Sequence, residues 1–203
     1  MSYYELWTIL SSWRREFSNA EFARTFSSPN PRKILHDMAS KGLLEHTEYG
    51  KYRVRPVADY VKTRNDINAG YELLRKAEHP YALTDVDGVF VWTKGGYNAD
   101  RFFGFYPIHI KILKSDMVRW KSFFRRAGKK TFLAGTKPKE TIFGVFYVLH
   151  PEERIDAETI ENLKVEPLKK TVEFCREHIY TYEPALEMLD EEYNLGLEAK
   201  YRS

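Results

Sequence analysis

Apolar residues recur at helical spacing from the start of the chain. Leu6, Trp7, Ile9, Leu10, Trp13 and Phe17 mark an amphipathic helix over Tyr3 to Arg15. Ser18 stands three residues before Glu21, a reciprocal capping pair that opens a short helix carrying Phe22, Ala23 and Phe26. The run Ser27-Ser28-Pro29-Asn30-Pro31 breaks the chain and starts the next helix, because asparagine caps well and proline fits the first helical position. That third helix, Pro31 to Lys41, turns Ile34, Leu35, Met38 and Ala39 inward, and Gly42 ends it. Leu44 to Arg55, with Gly50 in its middle, predicts two short strands around a turn.

Further along, residues 57–79 keep helical spacing but are interrupted from Asn65 to Gly70, which predicts one bent helix or two short ones. This connector separates a first domain, residues 1–56, from a second, residues 80–203. In the second domain Tyr81 to Thr84 reads as a strand, Asp85 to Trp92 as a helix, and Phe105 to Leu113 as a cleanly alternating strand. Ser115 can cap a helix whose inner stripe is Met117, Val118, Trp120, Phe123 and Phe124. Two more strands, 131–134 and 142–149, and two helices, around 168–178 and 184–193, complete a mixed domain, so the expected class is α+β.

Composition sets bounds on this picture. With 203 residues, 43% hydrophobic and 30% charged, the chain can bury a core. No apolar run approaches the ~18 residues of a membrane span, so a cytoplasmic protein without membrane contact is expected. The single cysteine, Cys175, excludes an internal disulfide and a cysteine-based zinc cluster. Residues 1–56 hold nine Lys/Arg and six Asp/Glu, which accounts for the whole net charge of +3. Residues 107–139 hold ten basic residues against one acid, whereas 140–203 hold seven against fifteen. That split reads either as a basic surface for a polyanion or as a strip neutralised by the chain's own acidic tail. The second is expected, with Arg119, Lys121, Arg125 and Arg126 pairing with the C-terminal helices.

Three helices followed by a hairpin resemble the winged helix-turn-helix family, with Ser18 to Leu44 matching the helix pair and Leu44 to Arg55 the wing. The resemblance implies a third helix in the major groove of duplex DNA and a wing against its backbone. Helical geometry adds that, with Ile34, Leu35 and Met38 inward, Lys33, His36 and Ser40 face out, with Asp37 at the edge. Arg32 at the border and Lys51, Arg53 and Arg55 in the wing are the candidate phosphate contacts. Many winged helices instead mediate protein contacts, so a protein-interaction adaptor stays open.

Two motifs of the second domain concern catalysis. Thr84-Asp85-Val86-Asp87-Gly88-Val89 is similar to the first motif of haloacid-dehalogenase-type phosphatases, but Val89 replaces the usual threonine and no later strand ends in an acidic pair. The pattern Tyr81-Ala82-Leu83-Thr84, Gly95-Gly96 and Pro107-Ile108-His109-Ile110-Lys111-Ile112 resembles the nucleotidyltransferase fold, in particular its degenerate form in type IV antitoxins of the AbiEi kind. That resemblance implies a winged helix joined to a catalytically inactive domain, acting as an autorepressor. His109 and Lys111 stand where active members carry two aspartates, and a lysine cation cannot ligate magnesium. A DNA-binding regulator is thus expected, without cofactor, metal or catalysis, working as a homodimer and with a cognate protein partner. The alternative is a magnesium-dependent nucleotidyl- or phosphoryl-transfer enzyme using Asp85 and Asp87.

Overall fold

The computed structural model describes residues 1–197. They form two compact units that divide between Arg64 and Asn65, inside the segment expected as a connector. The chain is α+β, and among the described residues no helix is long and apolar enough to cross a membrane.

The first unit runs α1 (Tyr3–Trp13), β1 (Glu16–Ser18), α2 (Asn19–Thr25), α3 (Pro31–Ser40), β2 (Leu44–Glu48), β3 (Lys51–Val54) and α4 (Val57–Arg64). Capping boxes start α1, through Ser2 and Glu5, and α2, through Ser18 and Glu21. Asn30 caps α3 with Pro31 in its first turn, as the sequence implies. Gly42 follows α3 at φ 74°, a left-handed conformation that glycine reaches without a Cβ penalty. Strand β1 is an addition to the sequence reading: it pairs antiparallel with β3, Phe17 opposite Tyr52, giving the sheet order β1-β3-β2. Leu10, Phe22, Leu35, Met38 and Leu43 are almost wholly shut from water at the centre of this unit.

The second unit opens with α5 (Ile67–Arg75), β4 (Tyr81–Leu83), α6 (Asp85–Trp92) and β5 (Phe105–Leu113). A 3-10 turn over Lys114–Asp116 leads to α7 (Met117–Arg126), β6 (Thr131–Leu133) and β7 (Gly144–Glu152). A hairpin of β8 (Glu158–Ile160) and β9 (Leu163–Val165), which the sequence reading lacked, precedes α8 (Leu168–Glu177) and α9 (Ile179–Tyr193). The six-stranded sheet has the order β6-β7-β5-β4-β9-β8, with β5 parallel to β7 and antiparallel to β4. Strand alternation puts Ile108, Ile110, Tyr147 and Leu149 on one face, all fully buried. Phe124 of α7 stacks on Tyr147 at 3.9 Å between ring centres, and the Tyr147 hydroxyl donates to the Gly70 carbonyl of α5. The other face carries Pro107, His109, Phe146 and Val148, which line a cleft.

The basic strip is met in part by the acidic 140–203 segment, as expected, but not through the cations of α7. Arg119 pairs with Asp116 one turn away, and Lys121, Arg125 and Arg126 have no carboxylate partner among the described residues. Pairs that join the strip to that segment include Lys111–Glu166, Lys114–Glu153 and Lys130–Glu140. Helix α7 buries Trp120 and Phe124, so its cations lie on the face turned to water.

Gly70 marks the closest approach of helix to sheet. A Cβ there would stand 2.5 Å from Ile108 Cδ1 and 3.0 Å from Val145 Cγ1, both in the buried face. Overpacking a filled core costs about 1–3 kcal/mol, more than the ~1 kcal/mol that alanine gains over glycine in a helix. Gly70→Ala should therefore destabilise the chain in urea unfolding, and equal or greater stability would show that this contact is loose.

Candidate functional site

In the first unit, Arg32, Lys33, His36 and Ser40 all lie on the exposed side of α3. Leu35 and Met38, fully buried, fix that orientation. The Ser40 hydroxyl donates to the His36 carbonyl at 3.0 Å, so in this conformation it is spent on its own helix. Lys33 pairs with Asp37 at 2.5 Å, and Asp37 also accepts the Tyr3 hydroxyl at 2.7 Å, tying α1 to α3. The Lys33 and Tyr3 hydrogen bonds hold the Asp37 carboxyl below its ordinary pKa.

The wing cations are also matched. Lys51 pairs with Glu48 at 2.8 Å, Arg53 with Glu16 at 2.7 Å, and Arg55 with Glu45 at 3.6 Å. Thus the face sets five cations, Arg32, Lys33, Lys51, Arg53 and Arg55, against four carboxylates, leaving +1. Only Arg32 of the five has no acidic partner among the described residues. Such water-exposed pairs are weak, and a phosphate can take the place of either carboxylate oxygen.

The second unit builds its polar cluster where β4 ends and α6 begins. Asp85 adopts φ 53°, a left-handed conformation that persists in a side-chain-bearing residue only where its surroundings hold it. The Thr84 hydroxyl lies 3.1 Å from Asp85 Oδ1, while Oδ2 lies 3.3 Å from His109 Nδ1 and 3.4 Å from His150 Nε2. The two ring nitrogens are 3.1 Å apart. Burial pushes the Asp85 carboxyl up, but the His109 hydrogen bond and the two imidazoles outweigh it and hold it below the usual range. Burial also lowers His150, against the pull of Asp85, which favours its neutral ring.

Asp87 points elsewhere. Asp85, at φ 53°, departs from the right-handed helical conformation, and the two carboxylates go to different partners. Asp87 is fully buried and accepts from the Tyr71 hydroxyl, Arg101 Nη2 and the His109 backbone N–H, each at 2.6 Å. Burial drives its pKa upward, and Arg101 is the foremost group pulling it back. Tyr71, raised far above its ordinary value by burial and Asp87, stays a donor. Nearby, Glu166 is held by Lys111 at 2.6 Å and Thr84 at 2.8 Å. The enzyme alternative asks Asp85 and Asp87 to share one magnesium ion, whereas here Asp85 faces the two imidazoles and Asp87 faces Arg101 and Tyr71.

Asp85 and His109 border a cleft of about 520 Å³ whose walls are largely apolar, with Phe105, Pro107, Phe132, Phe146 and Val148 on one side and Phe174, Thr181 and Tyr182 on another. The sequence reading named Asp85 and His109 but missed His150, Arg101 and Glu166. The available signal was His150 standing in an apolar strand segment on the same alternation as Phe146 and Val148.

No protein-family model matches the chain, and no curated protein matches it. Among solved structures it is similar to one of TrmBL2, described as an archaeal chromatin protein that shows a novel mode of DNA binding. Identity is 13%, the match covers 93% of this chain and 88% of that one, and the TM-score is 0.24. A likeness so slight carries no argument about either fold or function.

The geometry makes Asp87 a structural group. Asp87→Asn would keep its shape while leaving the Arg101 guanidinium, 2% exposed, without a countercharge. Breaking a buried pair in this way costs about 3–5 kcal/mol, so the second unit should unfold at clearly lower denaturant. Unaltered stability would show that the carboxylate is not needed there.

Proposed function

We propose that the chain is a DNA-binding regulator whose first unit is a winged helix and whose second unit is a catalytically inactive interaction domain. The observation that carries this reading is the order helix, strand, helix, helix, hairpin in one small unit, with the exposed side of α3 formed by Arg32, Lys33, His36 and Ser40. Lys33, His36 and Ser40 meet base edges, and Arg32, Lys51, Arg53 and Arg55 meet phosphates. A net +1 on that face gives one copy little grip, so the regulator works as a homodimer with two α3 helices one DNA turn, about 34 Å, apart. The inactivity of the second unit is supported by the engagement of Asp87 with Arg101 and of Glu166 with Lys111. An antitoxin-like autorepressor with a cognate protein partner is the finer form of this proposal.

The carboxylates matched to the wing favour a second reading, a protein-interaction adaptor, and the same experiment separates the two. In salt-dependent binding to the duplex upstream of its own gene, Lys51→Ala or Arg53→Ala should weaken all sequences alike and reduce the log–log salt slope by about one unit. Lys33→Ala should erode preference for the cognate duplex on the order of tenfold. Glu48→Gln, which releases Lys51 from its partner, should tighten binding and steepen the slope. Absence of duplex binding by the full chain at low salt would sink the regulator and leave the adaptor.

A further inference from the structure

We propose that Asp85 Oδ2, His109 Nδ1 and His150 Nε2 are three ligands of a zinc-class divalent transition-metal ion, with one coordination position left open. The three atoms form a triangle with edges of 3.1, 3.3 and 3.4 Å. Ligands bonded at about 2.0–2.1 Å to a tetrahedral ion stand roughly 3.3–3.4 Å from one another, so the triangle accepts such an ion with almost no movement. The site lies wholly within the second unit and is independent of the DNA-binding reading.

A carboxylate oxygen and two ring nitrogens converge on one spot, where each offers a lone pair. A proton on one nitrogen can satisfy one neighbour, but protons on both would face each other across 3.1 Å. One divalent cation satisfies all three donors at once, releasing to solvent any proton held between them. Two imidazoles with one carboxylate suit zinc and its neighbours, whereas magnesium prefers oxygen donors and retained waters.

The fold holds each donor by separate means. His109 and His150 come from the adjacent parallel strands β5 and β7, offset by two residues and so on one face. Asp85 is turned to them by its left-handed backbone, and the Thr84 hydroxyl beside Oδ1 leaves Oδ2 for the ion. Lys111, the cation two residues from His109, is drawn off by Glu166. Because Asp85 and His109 border the 520 Å³ cleft, the fourth position is open to a water or to a donor atom of a small molecule lodged there.

The test uses tag-free, full-length protein treated with chelator and then titrated with cobalt(II) and zinc(II). One equivalent of cobalt should bind with the intense visible absorption of a tetrahedral site, zinc should displace it, and zinc should raise the thermal midpoint. Magnesium at millimolar concentration should do neither. Loss of even an outer-shell partner lowers metal affinity about 10–100-fold, so Asp85→Asn, His109→Gln and His150→Gln should each weaken zinc by about a hundredfold or more. Melting in chelator identifies which variants are folded, and any folded one suffices for the comparison. His46→Ala removes an exposed imidazole of the wing and should change nothing. No tetrahedral cobalt spectrum with the unaltered chain, or undiminished binding by a folded ligand variant, would overturn the proposal.

Discussion

A carboxylate with no exposure to water constrains the second unit more than any other group. Asp87 can keep its charge there only if donors surround it, and three do: a guanidinium, a phenol and a backbone N–H. Those donors come from Arg101 in the segment before β5, Tyr71 on α5 and His109 on β5, so one charge ties together two helices, a connecting segment and a strand. Arg101 in turn donates to Tyr71 and to Asn98, and lies over the Phe90 ring. With the start of α6 anchored in this way, Asp85, at φ 53°, is presented to the two imidazoles and the cleft. The two aspartates of one short motif thus serve opposite ends: one is sealed into the frame, the other is presented.

Electrostatics shapes the first unit differently. Its stability rests on apolar packing around Leu10, Phe22, Leu35 and Met38, and its charges lie at the surface in loose pairs. The same pairing that steadies the wing in water offsets most of its positive potential. Any polyanion that docks there exchanges carboxylates for phosphates, so affinity depends on how readily Glu16, Glu45 and Glu48 give way.

Local signals in the sequence were sufficient for the helices of the first unit and insufficient for its sheet. Asn30-Pro31 and Gly42 bracket α3 because caps act within one turn. Strand β1 is three residues long and is defined by a partner 35 or so positions away, so no periodicity betrays it. The β8–β9 hairpin was hidden for a similar reason: two three-residue strands joined by Glu161 and Asn162, both at positive φ. In the candidate site, the motif containing Asp85 and Asp87 was legible as chemistry, but the left-handed backbone at Asp85, which sends the two carboxylates to different partners, was not. His150 stood out only as a polar residue in an apolar strand, and its meeting with His109 was illegible, since it depends on the register of two parallel strands. The expectation that Arg125 and Arg126 meet acidic helices failed on the same point: a charge balance along the chain says nothing about which elements the fold brings together.

The division of labour between Asp87 and Asp85 can be seen directly. Crystals of the chain soaked with cobalt and measured at its absorption edge should give one anomalous peak, about 2.0–2.2 Å from Asp85 Oδ2, His109 Nδ1 and His150 Nε2, with Asp87 still against Arg101. A peak held by Asp87 together with Asp85, or a cobalt-free triangle with metal elsewhere, would contradict the account.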